Sequence, residues 1–435
     1  MKIAMLTNNY RPFVGGVPIS VERQAHELIR LGHQVTVFAP EYGDTEAEDR
    51  ATQERIVRYH TQRRKMDNGM VYPGVLPGEI LRTFRTERYD CIHVHHPMFV
   101  GPWALYLGKK YKIPVIYTYH TRYEEYLHYI PCFRVGEKTP ALWGRTVEWI
   151  RRKVIPAYMK WFAGRCDMVL APSEGMRQVI KDYGTSTRVE VFPTGLDEEF
   201  FEKNETRSAE IRRELGNGKK YLLATVSRLE REKNYDFLLR GIAEVRRKRG
   251  DDFQVLIIGG GSRMTELKTL AEELEISDLV TFTGNIPNHE VKDYLNAADL
   301  FLFASRSETQ GIVLAEAMAA GSPVVAVHAV GSDDIVEDGV NGFLTEEDED
   351  AWSDRVIEAL DEENLGRMAA AAVLSAGNYR SSRLARYEEM LYNQCICRKR
   401  KERWMQEHAL STDRKEEEFY EEEENRGEHS AVVIR

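Results

Sequence analysis

The chain has 435 residues, 42% of them hydrophobic and 30% charged, with a formal net charge of −10. That balance suits two or three soluble domains with sizeable cores. It excludes a mostly disordered chain. The five scattered cysteines exclude a disulfide framework, and no apolar run reaches the roughly 18 residues of a membrane span. The opening Met1–Thr7 reads as a strand and lacks the apolar centre and cleavage site of a signal peptide. Charge is uneven: residues 1–195 hold 28 Lys+Arg against 20 Asp+Glu, a net +8, and residues 196–435 hold 32 against 50, a net −18. A basic half on an acidic protein implies a local anionic partner and not a nucleic acid.

In chain order, Lys2–Thr7 is the first expected strand, followed by a loop ending in Gly15-Gly16. Val17–Leu31 has apolar residues at helical spacing and stops at Gly32. Gln34–Ala39, Asp90–His95, Pro114–Tyr119, Met168–Ala171 and Val189–Phe192 are further strands with helices between them, the pattern of a parallel sheet wrapped by helices. Pro193-Thr194-Gly195 closes this half. The polar stretch 196–218 reads as a linker. The pattern then restarts with strands Tyr221–Val226, Phe253–Ile258, Leu279–Phe282, Leu300–Ala304 and Pro323–Val327. Helices are expected at Asn234–Lys248, up to about Leu274, at Asn288–Ala298 and at Gly311–Ala320. The fold class is therefore α/β, with two doubly wound parallel-sheet domains, 1–195 and 219–376, facing a cleft. A helix over 377–397 is expected to return to the first domain. Residues 398–435, with basic Arg398–Arg403 and acidic Glu416–Glu424, read as a flexible tail, helical in its first part.

Ser305–Ala320 is the most informative segment. It follows a strand and opens a helix, with Glu308 in the turn and Glu316 about two turns in. From Thr309 to Glu316 a helix would rise about 10 Å. Two carboxylates at that spacing can hold different hydroxyl-bearing parts of one ligand. The N–H groups of Thr309, Gln310 and Gly311 stand where a helix start favours a diphosphate or polar sugar. After the first strand of the second domain, Arg228 and Lys233 could clamp a diphosphate, although such a charge run by itself is commonly a solvated turn.

Together these segments resemble the GT-B glycosyltransferases, and within them retaining family 4, over about residues 1–395. The opening MKIAMLTNNYRPFVGG, the junction VEVFPTGLD and GSPVVAVHAVGSDDIVEDGVNGFL carry the same likeness. The resemblance implies that Glu308 holds the donor sugar and steadies its anomeric cation. Glu316 would bind the ribose, and Arg228 and Lys233 the diphosphate. Gly15 and Gly16 would let a loop approach the phosphate, and His120 would contact the sugar. It further implies retention by front-face attack, with no metal and no cofactor, the nucleotide sugar being a substrate. Asp348-Glu349-Asp350 has a D-x-D form but reads better as an acidic helix start. Gly259-Gly260-Gly261 is too weak to indicate a dinucleotide site. Cys395 and Cys397 read as ordinary thiols near a helix end.

The segment Tyr119–Ile130 and the Glu-Thr-Gln-Gly run resemble bacterial diacylglycerol glucosyltransferases. On that likeness the expected donor is UDP-glucose, although Glu308 and its neighbours also suit galactose, mannose or N-acetylglucosamine. The expected acceptor is 1,2-diacylglycerol. Trp143–Arg165 combines Arg151, Arg152 and Lys153 with Trp149 and Trp161, and can lie on an anionic membrane, kinked or split at Pro156. Its bland alternative packs Trp149, Ile150, Val154 and Trp161 into the core. His96 is expected to line the acceptor side of the cleft, with His93 and His95 split between core and cleft. Tyr123, Glu124 and His128 are further acceptor candidates. The expected location is cytoplasmic, peripheral on the inner face of the cell membrane. Rival readings are a transferase acting on phosphatidylinositol, a lipid-linked oligosaccharide or a soluble acceptor, a nucleotide-sugar epimerase or hydrolase, and a non-catalytic sugar-nucleotide binding module.

Overall fold

The computed structural model describes residues 1–408 apart from 14, 44, 66–70, 75–77, 125–132, 134–139 and 307. His128, Cys132, most of the Tyr119–Ile130 segment beyond Glu124, and the acidic run Glu416–Glu424 lie outside the described residues. The chain divides into two compact units, Met1–Gly195 with Ser381–Arg435, and Leu196–Arg380.

In the first unit the strands are β1 (Lys2–Leu6), β2 (Gln34–Pro40), β3 (Arg55–Tyr59), the short antiparallel pair β4 (Thr61–Lys65) and β5 (Val71–Pro73), β6 (Cys91–Val94), β7 (Val115–Thr118), β8 (Met168–Ala171) and β9 (Val189–Val191). Seven of them form one sheet in the order β3-β2-β1-β6-β7-β8-β9, parallel throughout. The central strands β1, β6, β7 and β8 are almost wholly buried, as a sheet covered on both faces requires. β3, β4 and β5 were not expected from sequence. β3 is a half-buried edge strand whose Arg55 and Arg58 interrupt any apolar run.

The second unit contains β10 (Tyr221–Val226), β11 (Phe253–Ile258), β12 (Val280–Gly284), β13 (Leu300–Phe303), β14 (Val324–Val327) and β15 (Gly342–Thr345). Their order is β12-β11-β10-β13-β14-β15, again all parallel. The core on one face centres on Trp352, which meets Phe237 edge-on at 6.0 Å and lies over Gly241, where any Cβ would come within 2.5 Å of its ring. Asp348 caps the helix Glu349–Ala359 by accepting from the Ala351 N–H at 2.9 Å. The D-x-D run is thus a helix start, as its composition suggested.

Two domain boundaries need correction. Residues 196–218 are not a linker. They contain the helix Glu205–Leu215, capped by Asn204, which accepts from the Arg207 N–H at 3.1 Å. Leu196, Phe200 and Ile211 are buried in the second unit's core. Only Ile211 of that helix is buried, and Leu196 and Phe200 precede it, so the three anchors make no helical period. The second correction is at the C-terminus. Residues 377–379 form a 3-10 turn of the second unit, and the returning helix is Ser381–Glu407. Its Leu384, Leu391, Tyr392, Cys395 and Ile396 pack with Val21, Ala25 and Leu28 of the helix Gly16–Arg30. The basic run from Arg398 continues this helix instead of starting a tail. Arg398 donates to the Asp167 carbonyl, and Lys399 pairs with the Asp167 carboxylate at 2.9 Å.

Trp352→Ala should leave a large void between the helix Tyr235–Arg249 and the helix Glu349–Ala359. It is expected to destabilise the second unit by about 3–5 kcal/mol, measured by chemical denaturation; a loss under about 1 kcal/mol would contradict the central packing role.

Candidate functional site

In the second unit the sheet order reverses between β10 and β13, and ligands of doubly wound folds sit at such a reversal, outside the strand ends. The loops leaving these two strands carry the expected residues. Ser227–Asn234 follows β10 and holds Arg228 and Lys233; Ala304–Gly311 follows β13 and holds Glu308, Thr309 and Gln310. The Lys233 ammonium forms an ion pair with Glu308 Oε1, and Ser305 Oγ donates to the same oxygen at 3.0 Å. Arg228 lies 3.5 Å from Glu232. Burial pushes the Glu308 carboxyl up. The charge and hydrogen bond of Lys233, the Ser305 hydroxyl and the charge of Arg228 outweigh that and hold it below its ordinary value. Glu308 is therefore an anion at neutral pH.

Close backbone approach fixes these loops. A Cβ on Gly331 would stand 2.7 Å from Glu308 Cβ and 2.8 Å from the Gln310 carbonyl carbon. On Gly259 it would stand 2.0 Å from the Ser227 carbonyl oxygen, and on Gly261 2.4 Å from that of Leu229. Gly259 and Gly261 therefore let the chain pack against the Arg228 loop, and Gly260 packs against the Asn285 side chain. Gly311 adopts φ +72° as the cap, so the helix runs Ile312–Ala319 instead of starting at Thr309. The expected rise to Glu316 shortens to about 6 Å from Ile312. The N–H groups of Thr309, Gln310 and Gly311 belong to the turn before the helix. Glu316 is half-buried on that helix, whose other residues are mostly buried.

In the first unit the order reverses between β1 and β6. The loop after β1 leads to Gly15, in extended backbone, and Gly16, the first helical residue. Nothing lies within 4 Å of a Cβ built on Gly16, so the backbone there is open to close approach. Glu54, buried, holds this loop. It accepts from the Tyr10 hydroxyl at 2.6 Å, from Arg11 at 2.7 Å and from His26 Nε2 at 2.8 Å. Burial pushes the Glu54 carboxyl up, but the hydrogen bonds from His26, Tyr10 and its own backbone N–H, with the His26 charge, bring it down to about 2. Sequence reading missed Glu54, because a lone acid in a polar stretch carries no pattern. It also missed Ser305, which stands three residues before Glu308 at a spacing that could have suggested a bond.

The histidines differ from expectation. His93, His95 and His96 are all buried. His93 and His95 are two residues apart and share one face, with ring centroids 4.1 Å apart, so strand alternation does not split them between core and cleft. His96 is 6% exposed. Its Nδ1 accepts from the Asn8 N–H at 3.1 Å and ties the loop after β6 to the loop after β1. Burial pushes its ring down to about 3, so it stays neutral. His120, half-buried at the end of β7, meets His95 at 2.9 Å. Glu124 is also internal, accepting from the Tyr183 hydroxyl at 2.7 Å and from Arg122 at 3.1 Å, while Tyr123 is half-buried beside it.

Trp143–Arg165 is a helix Ala141–Trp149, a π-turn Ile150–Val154 and a helix Ile155–Ala163. Pro156 stands in the first turn of the second helix, where its missing N–H is tolerated. Val147, Ile155, Met159, Phe162 and Ala163 are the buried residues. Trp149 is 60% exposed and Trp161 41%, so the alternative that packs them into the core is not what folds. Arg151, Arg152 and Lys153 occupy the π-turn, the two arginines paired with Glu148. Among the described residues no cluster could hold a metal ion, and no helix is long and apolar enough to cross a membrane.

Two parallel-sheet units, each with one reversal of strand order, have the architecture of the GT-B glycosyltransferases. The comparisons agree. The family "Glycosyltransferase Family 4" matches residues 14–200 and the family "Glycosyl transferases group 1" matches residues 207–373. An alpha-monoglucosyldiacylglycerol synthase of Streptococcus pneumoniae is 32% identical over 351 residues, 79% of this chain and 75% of that protein. One from Acholeplasma laidlawii is 26% identical over 396 residues, 90% of this chain and 96% of that protein. Among solved structures, Anabaena HepE with UDP bound superposes with a TM-score of 0.70 at 19% identity, covering 91% of this chain and 100% of that one. Sucrose-phosphate synthase from Thermosynechococcus elongatus gives 0.71 at 19%, covering 90% and 98%. The chain belongs to glycosyltransferase family 4.

The Glu54 cluster gives a pH prediction. The folded carboxyl titrates near 2 and the ordinary one at 4.5, so its stabilisation is complete above about pH 4.5 and is lost as pH falls toward 2. The shift corresponds to about 3 kcal/mol. Glu54→Gln should remove that much stability at pH 7 and flatten the unfolding free energy between pH 4.5 and 2; identical acid profiles would refute the assignment.

Proposed function

We propose that the protein is a retaining, metal-independent hexosyltransferase that moves glucose from UDP-glucose to 1,2-diacylglycerol. It would work on the cytoplasmic face of the cell membrane. Membership of family 4 supports the transfer chemistry, and the likeness to two alpha-monoglucosyldiacylglycerol synthases supports a glucosyl group and a diacylglycerol acceptor. The observation that carries the lipid reading is the exposed apolar surface of Ala141–Ala163. Leu142 is 78% exposed, Trp149 60% and Trp161 41%, beside Arg151, Arg152 and Lys153. Aromatic rings with adjacent cations suit the headgroup layer of an anionic membrane.

In this reading Arg228 and Lys233 bind the diphosphate and carry its charge as it leaves. Glu308, held ionised, accepts from the sugar hydroxyls and stabilises the oxocarbenium-like cation. Thr309, Gln310 and Gly311 present the turn's backbone to the sugar and phosphate. Glu316 accepts from the ribose hydroxyls. Gly15 and Gly16 admit the phosphate, and His120 donates to the sugar. The bond from C1 to the phosphate oxygen breaks, the acceptor hydroxyl attacks on the same face, and the departing phosphate oxygen takes its proton. No metal ion and no cofactor take part.

The test is a donor-turnover screen with UDP-glucose, UDP-galactose, UDP-N-acetylglucosamine and GDP-mannose, each with and without anionic vesicles containing diacylglycerol. The proposal expects UDP release and a new glycolipid from UDP-glucose, dependent on the vesicles. Release without an acceptor, or from another donor, overturns it.

Two substitutions separate the assigned roles. Glu316→Ala should weaken UDP binding by about 1–3 kcal/mol through lost charged hydrogen bonds, read by calorimetry. Lys233→Ala should lower kcat more than it raises the donor KM, since its charge acts most on the leaving group; a pure KM effect would reduce it to a binding residue. For the membrane surface, neutralising Arg151, Arg152 and Lys153 together should remove about 1 kcal/mol of vesicle affinity per charge at low salt. Unchanged co-sedimentation with anionic vesicles would return this segment to a structural role.

A further inference from the structure

The end of β6 carries His93, His95 and His96, and the end of the neighbouring β7 carries His120. We propose that His95 is a positioning residue that fixes the proton of His120 on Nδ1, so that His120 presents an N–H donor at that edge of its ring.

The argument starts from the hydrogen bond between His95 Nδ1 and His120 Nε2, 2.9 Å long, with the rings nearly parallel at 5.2 Å. Burial pushes both rings well below the ordinary histidine value, and the neighbouring histidines add to the shift. Both are neutral near pH 7, so the bond contains one proton. Two arrangements are open. Either His95 donates from Nδ1, or His120 donates from Nε2.

The remaining nitrogen of His95 decides between them. His95 Nε2 is buried and has no hydrogen-bond partner among the described residues. If His120 donated, neutral His95 would carry its proton on Nε2 as a buried, unpaired N–H. Such orphaned donors are the rarer kind of buried group. If His95 donates from Nδ1, Nε2 keeps only a lone pair. Neutral His120, accepting at Nε2, then holds its proton on Nδ1.

The surrounding histidines are fixed in the same way. His96 Nδ1 accepts from the Asn8 N–H, so its proton is on Nε2. The Tyr392 hydroxyl donates to Glu388 at 2.7 Å, so His93 Nδ1 donates to the Tyr392 oxygen at 2.6 Å. His93 lies against His95 with its ring centroid 4.1 Å away. The returning helix Ser381–Glu407 therefore orders His93 and packs the ring on which His95 rests.

The catalytic consequence rests on the glycosyltransferase reading given above; the proton assignment does not. The first measurement is the long-range nitrogen–proton NMR spectrum of the full-length protein labelled with 15N-histidine, with His120→Asn used to assign the ring. The expected pattern is a protonated Nδ1 and a bare Nε2 on His120. A proton on Nε2, or averaging between the two forms, overturns the proposal. His95→Asp offers only acceptors and should move the His120 proton to Nε2; His95→Asn retains an N–H donor and should keep the native pattern. A native pattern in His95→Asp would likewise overturn it, and the wild-type spectrum decides even where a variant does not fold. In the donor assay, His95→Asp should lower kcat about 10–100-fold with little change in donor KM, and His95→Asn should recover most of it. Equal loss in both variants would mean that His95 acts only through packing. Absence of wild-type turnover with every donor would sink the transferase assignment without changing what the nitrogen spectrum reads.

Discussion

Each unit is governed by the reversal of its strand order. In a parallel sheet every connection returns over a face, so all C-terminal strand ends point the same way. Where the order reverses, neighbouring strands send their loops to opposite faces and leave a crevice. β10 and β13 form that point in the second unit, and their loops bring Lys233 and Glu308 together across 75 positions of sequence. β1 and β6 form it in the first unit, and His96 ties their two loops through the Asn8 N–H. Neither arrangement needs a special local conformation in the strands. Each needs only buried, continuous apolar strands on both sides of the reversal.

The two reversals are stabilised differently, and the difference follows from charge. The second unit uses opposite charges: Glu308 stays ionised because Lys233, Ser305 and Arg228 together outweigh its desolvation. An anion that also needs Lys233 must compete with Glu308 for it. Binding energy then depends on exchanging one partner for another, not on gaining a lone ammonium. The first unit instead surrounds its strand ends with neutral rings. His95, His96 and His120 are all pushed down by burial, so hydrogen-bond direction rather than charge carries the information there.

The strands at the sheet centres were legible because they are buried on both faces and read as unbroken apolar runs. β1, β6, β7, β10, β11 and β13 all fall within a residue or two of expectation. The edge strands β3 and β15 were not legible: partial exposure admits Arg55 and Arg58 in β3, and β15 is only four residues long and opens on Gly342, where a Cβ would stand 2.2 Å from the Val324 carbonyl oxygen. The linker misreading has a related cause. In Asn204–Leu215 only Ile211 is buried, and one apolar anchor per helix makes no period. At the site, Glu308 and Lys233 were legible because a motif placed each at a strand end. Glu54 and Tyr392 were not, because His26 and His93, their histidine partners, stand 28 and 299 positions away. The error on His93 and His95 was of another kind. The period of two puts them on one face, and the expectation misapplied it.

The exposed aromatic segment raises a question of energy. Trp149 and Trp161 could each gain roughly 1.5–3 kcal/mol by burial, on the scale of other large side chains, yet both remain substantially exposed. Loose attachment does not explain this, because Val147, Ile155, Met159 and Phe162 on the same helices are buried, and Phe162 fits against Gly101 where a Cβ would come within 2.8 Å. The π-turn Ile150–Val154 adds a residue to the helical turn and carries Arg151, Arg152 and Lys153, with none of its own residues buried. Opposing charges do not fully cancel these cations, since Glu148 takes up two of the three. Arg165 covers the Trp161 ring at 4.7 Å, and Tyr158 stacks on it at 5.6 Å while its hydroxyl donates to the Pro97 carbonyl. The rings are thus held in place on a rigid face with cations beside them. Such a face keeps apolar area in water at a cost, and the proposed contact with an anionic lipid layer would offset that cost.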